Sequence, residues 1–415
     1  MHRYEIGASL GEGAFGQVRQ AKHKETGEKV AIKTLKDKCR DFNTMMRLPE
    51  VKALRAISHE NIVKCKELLL DRKGYVHMVF ELVEGGNLEA FNRKHRGSPL
   101  TELHIRSIFY QLLRAISYMH SMRHMHRDIK PENILLQSNG ATDNIKIKVA
   151  DLGLTKFCES AKPRPHTTYV ATRWYRSPEI LLRISNYSFP SDLWAVGAVM
   201  AEVVCRGEPL FPGDDERDQL ARIIALRGHP AMVGWQLGEI TMNERHIRLP
   251  KTTPSSLRSV VPLASLPVLQ LISDLLEMDP ARRPSASEAL GYPLFVSHRP
   301  ENYIRLPSGK RQRLDGEGLD TARTRDYPSS RWTAGSQNED EILRQGSESK
   351  RVRVKALLPP KDTVKPHMHA PRSPQYNEKV FNIPSLLDNG DNWSDSTICH
   401  QLGRRSRAGK FDLGI

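Results

Sequence analysis

The segment His-Arg-Asp-Ile-Lys-Pro-Glu-Asn, at positions 126–133, constrains this chain more than any other feature of its sequence. It places Asp128 five residues before Asn133, with Lys130 between them. This is the spacing of a catalytic loop in which the Asp accepts a hydroxyl proton and the Asn binds a metal ion. A solvated polar loop would not need these residue types at these positions, so the segment predicts a site of chemistry.

Composition limits the compartment in which such a site is expected. No run of about 18 apolar residues is present, so no membrane-spanning segment is predicted. Residues Met1–Tyr4 lead directly into a strand-like pattern and carry no apolar secretory core. The five cysteines are scattered without paired spacing. This pattern predicts reduced thiols in a cytosolic or nuclear compartment, with neither a disulfide framework nor a zinc site.

The formal net charge of +15 raises the question of nucleic-acid binding. A large positive charge attracts anionic partners. However, the basic residues are dispersed, and no aromatic–basic interleaving or nucleic-acid-binding module is present. The charge therefore favours a solvated surface or an anionic protein partner over direct binding of nucleic acid.

The chain changes character near residue 298. From residue 4 to about 295, strand-like and helix-like patterns alternate: 76–82 and 145–149 read as strands, and 105–119 and 193–205 as helices. Residues 299–415 are rich in Arg, Ser, Pro, Gly and Asn and show few sustained apolar periods. We expect this basic tail to be largely disordered.

A glycine-rich segment precedes a strand that carries a lysine. Residues 10–18 read Leu-Gly-Glu-Gly-Ala-Phe-Gly-Gln-Val, and the next strand delivers Lys33. The glycines allow a loop to fold closely over phosphates. A dinucleotide-binding fold uses a similar glycine pattern, but there the glycines open a helix and an acid follows about 20 residues later. Here Val18 continues as a strand, so we expect Lys33 to contact the α- and β-phosphates of a nucleotide.

Glu50 is the predicted anionic partner of Lys33. It lies in a helix-like stretch after the lysine strand, where an ion pair would orient the lysine without neutralising the phosphates. Pro49 precedes it, and proline is disfavoured inside a helix unless it lies in the first turn. The position at which this helix starts is therefore left open by the sequence.

Asp151 begins an Asp-Leu-Gly sequence after the strand at 145–149 and is a predicted metal ligand, together with Asn133. Its carboxylate would bridge magnesium to the β- and γ-phosphates, and Gly153 would let the chain turn. Leu152 stands where this motif usually has Phe. The substitution affects packing, because the metal chemistry depends on Asp151.

The segment that ends at Glu179 contains Thr-Thr-Tyr at 167–169. Phosphorylation of Thr167 would add roughly −1.5 to −2 charges and could draw in Arg127. Thr167 and Tyr169 are therefore predicted phosphorylation sites, and an unmodified, exposed pair is the alternative. Glu179 itself is expected to form an ion pair with Arg283.

Together these motifs resemble the eukaryotic protein kinase fold over residues 4–295. The T-x-Y sequence followed by Thr-Arg-Trp-Tyr-Arg is similar to the CMGC group, which contains the cyclin-dependent and MAP kinases. Within that group, residues 48–54 and 278–286 resemble the RCK family of MAK/ICK/MOK-like serine/threonine kinases. The resemblance implies an α+β, bilobal fold with a β-rich N-lobe over about 4–83 and a mostly helical C-lobe over about 84–295.

The resemblance also implies an activity. It is that of a serine/threonine protein kinase that uses ATP and Mg²⁺, prefers proline after the target residue, and is activated by phosphorylation of the T-x-Y segment by an upstream kinase. The implied catalytic residues are Asp128, Lys130, Lys33, Glu50 and Thr172, and the implied metal ligands are Asn133 and Asp151. The implied nucleotide-binding residues are Leu10, Gly11, Gly13, Gly16, Val18, Ala31, Lys33, Glu81 and Val83.

Six residues receive specific roles from the same resemblance. Phe80 is similar to the gatekeeper beside the adenine site, and Glu81 and Val83 would bond adenine through their backbones. Thr172 would support Asp128 and Lys130. Asp192 resembles the buried acid that braces the catalytic loop, and Arg176 resembles the residue that favours proline in the substrate.

The expected partners follow from these motifs. They are protein substrates with Ser or Thr before Pro and an upstream activating kinase. Residues 43–46 show no cyclin-recognition motif, so no cyclin is expected, and a monomer is predicted. RCK kinases act in cilia or flagella, which adds the cilium to the cytoplasm and nucleus as expected locations.

Other function classes remain open at this point. A pseudokinase scaffold keeps the fold but usually loses the lysine, the catalytic Asp or the metal-binding Asp, and all three are present here. A MAP-kinase-like signalling kinase fits the same motifs, whereas a small-molecule kinase is disfavoured by the long activation segment. In the tail, basic clusters at 310–313 and 350–355 could act in nuclear import, Ser373 precedes a proline, and residues 380–384 could form a docking peptide.

Overall fold

The computed structural model describes residues 1–13, 16–96, 100–137, 145–158 and 173–298, together with short strands at 303–305, 311–313 and 379–382. Three predicted site residues, Thr167, Tyr169 and Thr172, lie outside the described residues. So does Ser373.

The N-terminal part of the chain is dominated by β-strands. The strands of the whole described chain are β1 (Tyr4–Glu12), β2 (Gly16–His23), β3 (Lys29–Lys38), β4 (Cys65–Leu70), β5 (Tyr75–Glu81), β6 (His124–Met125), β7 (Ile134–Gln137), β8 (Lys146–Val149), β9 (Lys156–Phe157), β10 (Tyr303–Arg305), β11 (Arg311–Arg313) and β12 (Lys379–Asn382). One sheet has the order β1-β2-β3-β5-β4-β12, and its neighbouring strands are antiparallel. Two-stranded pairs join β6 with β9, β7 with β8, and β10 with β11. The β10–β11 pair belongs to a unit of its own, residues 301–376.

Helices dominate the rest of the described chain. They are α1 (Phe42–Arg47), α2 (Pro49–Ala56), α3 (Leu88–Lys94), α4 (Glu102–Ser121), α5 (Pro178–Leu181), α6 (Pro190–Val204), α7 (Glu216–Arg227), α8 (Pro230–Val233), α9 (Gln236–Glu244), α10 (Leu257–Val260), α11 (Leu266–Leu275) and α12 (Ala286–Ala289). The β-rich first part and the helical second part confirm the predicted bilobal α+β fold.

Helix α4 shows how the sequence produces the core of the second lobe. Thr101 caps its N-terminus by accepting a hydrogen bond from the backbone N–H of His104, which satisfies one of the free amides of the first turn. Its buried residues recur at steps of three and four and form one apolar face: Ile105, Ile108, Phe109, Leu112, Leu113, Ala115, Ile116 and Met119. Helix α6 is buried on nearly all sides, which makes it the centre of this lobe.

Pro49 determines where helix α2 begins. It occupies the first turn, where its missing N–H costs nothing, and the chain breaks from α1 at Leu48, whose ψ is 135°. Glu50 therefore lies in the first turn of α2, close to the positive end of the helix dipole. The question that the sequence left open is answered by a short helix that starts one residue before the predicted glutamate.

A buried ion pair joins α5 to the segment after α11, as predicted. The Arg283 side chain is fully buried and donates to Glu179 through Nη1 to Oε1 at 2.7 Å and through Nη2 to Oε2 at 2.8 Å. Burial would raise the pKa of the Glu179 carboxyl, but the charge of Arg283 outweighs it and holds that pKa below its usual range. The bidentate geometry connects two segments of the chain that are distant in sequence.

No helix among the described residues is both long and apolar enough to cross a membrane.

Replacement of Arg283 by Ala should destabilise the fold strongly. It would leave the Glu179 carboxylate buried without its partner, which typically costs about 3–5 kcal/mol of unfolding free energy. The measurement is denaturant unfolding of the full chain. Arg222→Ala is the matched control, because Arg222 forms an exposed ion pair with Asp218 at 2.7 Å. The control should change stability little, and equal losses in the two variants would contradict the argument.

Candidate active site

Lys33 lies at the centre of a cluster of three charged side chains. From β3 its Nζ contacts Oε1 of Glu50 at 2.7 Å and Oδ1 of Asp151 at 2.7 Å. Lys33 and Glu50 are each only 7% exposed, whereas the side chain of Asp151 keeps 34% of its surface exposed. The predicted ion pair is therefore present, and Asp151 is the member of the cluster that faces open space.

The charges in this cluster stabilise one another. Burial by itself would lower the pKa of Lys33, but the two carboxylates outweigh it and raise that pKa. Burial would raise the pKa of Asp151, yet the charge of Lys33 and their hydrogen bond lower it. Both groups therefore remain ionised near neutral pH. For Glu50, burial dominates over the charge of Lys33, so the pKa of this carboxyl is raised.

The backbone after β8 is shaped to present Asp151 to Lys33. Asp151 has φ 61° and ψ 75°, a left-handed conformation that is uncommon for residues other than glycine, and its Oδ1 accepts from the backbone N–H of Gly153. A Cβ at position 153 would lie 3.0 Å from Asp151 Oδ1 and 3.1 Å from Lys33 Nζ. A side chain at this position would thus be in tight contact with the cluster, and Asp151 and Lys33 would have to shift by a few tenths of an ångström to admit it. Leu152 points away and is 4% exposed in the hydrophobic core.

The loop from His126 to Asn133 holds Asp128 in a fixed position. Oδ2 of Asp128 accepts from Nδ2 of Asn133 at 2.9 Å and contacts Nζ of Lys130 at 3.0 Å. Nδ2 of Asn133 also donates to the backbone carbonyl of Asp128 at 2.8 Å. Within the described residues both side-chain partners of Asp128 contact Oδ2, which leaves Oδ1 able to accept a proton from another molecule.

Asp192, from helix α6, braces the start of this loop as the sequence predicted. Its two carboxylate oxygens accept from the backbone N–H groups of His126 at 2.9 Å and Arg127 at 2.8 Å. It is 2% exposed, and His120 Nε2 lies 2.9 Å from Oδ2. Burial would raise the pKa of Asp192, but the hydrogen bond and charge of His120 outweigh it and lower that pKa. Arg127 adopts φ 70°, a conformation that these contacts hold in place.

The glycines where β1 ends and β2 begins differ in how much space surrounds them. A Cβ on Gly16 would lie 2.2 Å from the backbone oxygen of Thr34, so a side chain there is sterically excluded. A Cβ on Gly11 or Gly13 would meet no atom within 4 Å. Packing therefore does not account for Gly11 and Gly13, and the open space beside them would allow a phosphate to approach the backbone closely. Residues 14 and 15, between the two strands, lie outside the described residues.

The remaining predicted nucleotide-binding residues lie on strands of the first-lobe sheet or just after its strand β5. Val18 on β2 pairs with Lys33, and Ala31 on β3 pairs with Phe80 at the end of β5. Leu10 on β1 is 51% exposed.

The side chain of Glu81 is occupied by other contacts. Its Oε1 accepts from the backbone N–H of Lys64 and from Nζ of Lys148, each at 2.7 Å. The backbone N–H of Glu81 also donates to the carbonyl of Lys64 at 3.0 Å. Val83 follows two residues later and is half-buried.

The oxygen donors at the site suit a magnesium ion that is shared with a nucleotide. The described residues contain no cluster of three or more His, Cys, Asp or Glu side chains that could hold a metal by themselves. Asp151 offers a partly exposed carboxylate, and Asn133, whose Nδ2 is engaged, offers Oδ1. Magnesium is usually bound by one or two such protein ligands together with waters and substrate phosphates, so this set fits.

Two contacts of the site were not predicted from the sequence. Arg127 Nη2 donates to the hydroxyl of Tyr187 at 2.6 Å, and the Tyr175 hydroxyl donates to Oε2 of Glu202 at 2.7 Å. Burial is the main cause that raises the pKa of Glu202 to about 7. No local motif marks either pair, because the partners are 60 and 27 residues apart.

Comparison with known proteins agrees with this arrangement. The protein kinase domain family model matches residues 4–295. Serine/threonine-protein kinase ICK of Mus musculus is 39% identical over 313 residues, which are 75% of this chain and 48% of the relative. Serine/threonine-protein kinase MAK of Mus musculus is 39% identical over 295 residues, 71% of this chain and 46% of the relative. Cyclin-dependent kinase F-3 of Oryza sativa subsp. japonica is 36% identical over 347 residues, 83% of this chain and 75% of the relative.

The chain thus spans about half the length of the ICK and MAK proteins that it matches. The resemblance to CMGC kinases of the RCK type is confirmed by these similarities, and so is the classification as a serine/threonine protein kinase at the level of the family. With the catalytic loop, the lysine cluster and the glycine-rich loop in their kinase order, and with the family model matched over residues 4–295, this chain belongs to the protein kinase domain family.

Proposed function

We propose that this chain transfers the γ-phosphoryl group of ATP to Ser or Thr hydroxyls of protein substrates. The observation that carries the proposal is the intact Lys33–Glu50–Asp151 cluster, in which Lys33 Nζ contacts one carboxylate oxygen of each acid at 2.7 Å. A chain that kept the fold for partner binding alone would not need three charges in this partly desolvated arrangement, which is costly to bury.

Each of these residues has a separate role in phosphoryl transfer. Lys33, held by Glu50, binds the α- and β-phosphates, and Lys130 stabilises charge on the γ-phosphoryl group. Asp128 orients the substrate hydroxyl and accepts its proton on Oδ1. Asn133 and Asp151 would hold magnesium, which supplies neutralisation of the phosphate charge when bound. Because the transition state of such reactions is loose, positioning and charge stabilisation account for most of the catalysis.

Substrate selection is proposed to favour proline after the target residue. Arg176 and Asp128 line the same small cavity, together with Ile129, Tyr175 and Ile180. Arg176 is also anchored toward Glu216 at 3.5 Å and is mostly buried. When the substrate Ser or Thr hydroxyl lies at Asp128, the next substrate residue would thus contact this wall of the cavity. A peptide with Ser-Pro should therefore be phosphorylated faster than the same peptide with Ser-Ala.

Activation is proposed to proceed through Thr167 and Tyr169, by way of Arg127. Arg127 lies in the catalytic loop, and its guanidinium donates to the hydroxyl of Tyr187 and approaches the carbonyl of Leu154 at 3.5 Å. A phosphate on the segment between 159 and 172 would compete for this guanidinium, because a charge-assisted bond to phosphate is stronger than a bond to a neutral hydroxyl. The upstream kinase supplies that phosphate. The RCK resemblance also favours a role in the cilium or flagellum, which a fluorescent fusion of the full chain would test.

Substitution of Lys33 by Met should lower the rate of phosphoryl transfer by about 10² to 10³, because a preorganised electrostatic contact is lost. The measurement is transfer of labelled phosphate from ATP and Mg²⁺ to a Ser-Pro peptide. Lys29→Met is the matched control: Lys29 lies on the same strand β3, and its side chain is 61% exposed in a pair with Glu84. The control should keep wild-type turnover. Near wild-type turnover of the Lys33 variant would contradict the proposal.

The T-x-Y hypothesis predicts a separate result. Treatment of the wild type with an activating kinase should raise turnover, whereas the Thr167→Ala/Tyr169→Phe variant should not respond, because it offers no hydroxyl at either position. Thr168→Ala, the residue between them, serves as the control and should still respond. An equal response of the double variant would contradict activation through Thr167 and Tyr169. The proposed phosphoryl transfer would not be affected by that result.

A further inference from the structure

Strand β4 forms the natural edge of the sheet of the first lobe. The strands β1, β2, β3, β5 and β4 are consecutive neighbours, so one side of β4 is bonded to β5 and the other side faces outward. An edge strand of this kind presents a row of backbone N–H and C=O groups that are able to pair with another chain segment.

In this structure the outer side of β4 is paired with a short strand from the tail. Residues Lys379, Val380, Phe381 and Asn382 of β12 lie opposite Leu70, Leu69, Leu68 and Glu67, in antiparallel register. The segment pairs with four of the six residues of β4. Along the chain, residues 299–378 connect it to the end of the helical lobe.

The side chains of β4 are largely buried or already bonded, so a segment that docks on this strand is recognised mainly through backbone hydrogen bonds. Leu68 and Leu69 are 1% and 2% exposed and belong to two different hydrophobic clusters of the first lobe. The carboxylate of Glu67 is occupied by Arg3 Nη2 at 2.8 Å and by the Tyr4 hydroxyl at 2.9 Å. A segment that docks here therefore gains main-chain hydrogen bonds and needs only a sequence able to extend.

The sequence of the tail segment meets that requirement. Val380 and Phe381 are of types that are enriched in strands, and no glycine or proline occurs between residues 375 and 383. Pro384 follows directly and lacks the N–H that a longer ladder would need. The segment is thus suited to a short, terminated strand at an edge.

We propose that the outer edge of β4 is a docking site for an extended peptide and that its occupant is residues 379–382 of the same chain. The docking ties the tail to the first lobe at a strand whose Leu68 packs in one cluster with Val51 and Leu54 of α2, the helix that carries Glu50. It also covers the edge that would otherwise be open to a second copy of the chain.

Amide hydrogen–deuterium exchange of the full chain tests this docking. In the variant Val380→Pro/Phe381→Pro, one of the two lost N–H groups must face β4, because successive residues of a strand alternate in the side to which they bond. The peptide that covers residues 65–70 should then exchange about tenfold faster or more than in the wild type. The variant Leu357→Pro/Leu358→Pro, a second apolar pair of the tail, is the control and should exchange as the wild type does.

Three results would overturn the proposal. The first is unchanged exchange of residues 65–70 in the Val380/Phe381 variant. The second is equally faster exchange of β3, which is enclosed by β2 and β5 and should not respond. The third is loss of the wild-type protection on dilution, because that dependence would assign the docked strand to a second copy of the chain.

Discussion

The contact between Lys33 and its two carboxylate partners is the interaction on which the rest of the site depends. It brings together a strand, a helix and the turn after β8, so it forms only when all three are in their final places. Glu50 is the more buried partner, and burial raises the pKa of its carboxyl, whereas the Asp151 carboxylate is partly exposed. One partner therefore orients the lysine and the other remains able to bind a metal. This division of roles follows from burial, since the two residue types have nearly the same chemistry.

A second set of buried charges holds the catalytic loop and the helical lobe together. Asp192 bonds the backbone of His126 and Arg127, and Glu179 binds Arg283 in a fully buried pair. Such groups are costly to bury unless every partner is present. Here each carboxylate accepts several hydrogen bonds, so loss of one partner would leave a buried charge uncompensated. Asp128 consequently lies in a loop whose backbone cannot shift without breaking these buried contacts.

The local motifs of the sequence identified most of the site because the chemistry requires fixed residue types at fixed spacings. Asp128 and Asn133 are five residues apart in one loop, and their contact follows from that spacing alone. Pairs that join distant segments without a motif were not predictable in this way. Tyr187 with Arg127 and Tyr175 with Glu202 depend on how helices pack, which a periodicity of apolar residues does not specify. The start of α2 was left open because Pro49 can either end a helix or begin one.

The pairing of the tail with β4 could not be predicted from the sequence for a different reason. Its composition predicts disorder, and residues 380–384 could be named only as a candidate docking peptide. Pairing with β4 depends on a free edge that belongs to another part of the chain, and a strand of four residues carries little signal of its own. The edge becomes visible only once the order of the sheet is known.

The central claim is that Asp151 faces a magnesium ion shared with ATP while Lys33 holds the phosphates. Calorimetric titration of the full chain with ATP, with and without Mg²⁺, tests it most directly, in the wild type and in Asp151→Asn. The account predicts that Mg²⁺ tightens ATP binding in the wild type and that this gain is lost in the variant. An equal gain in both proteins, or no gain in the wild type, would contradict it.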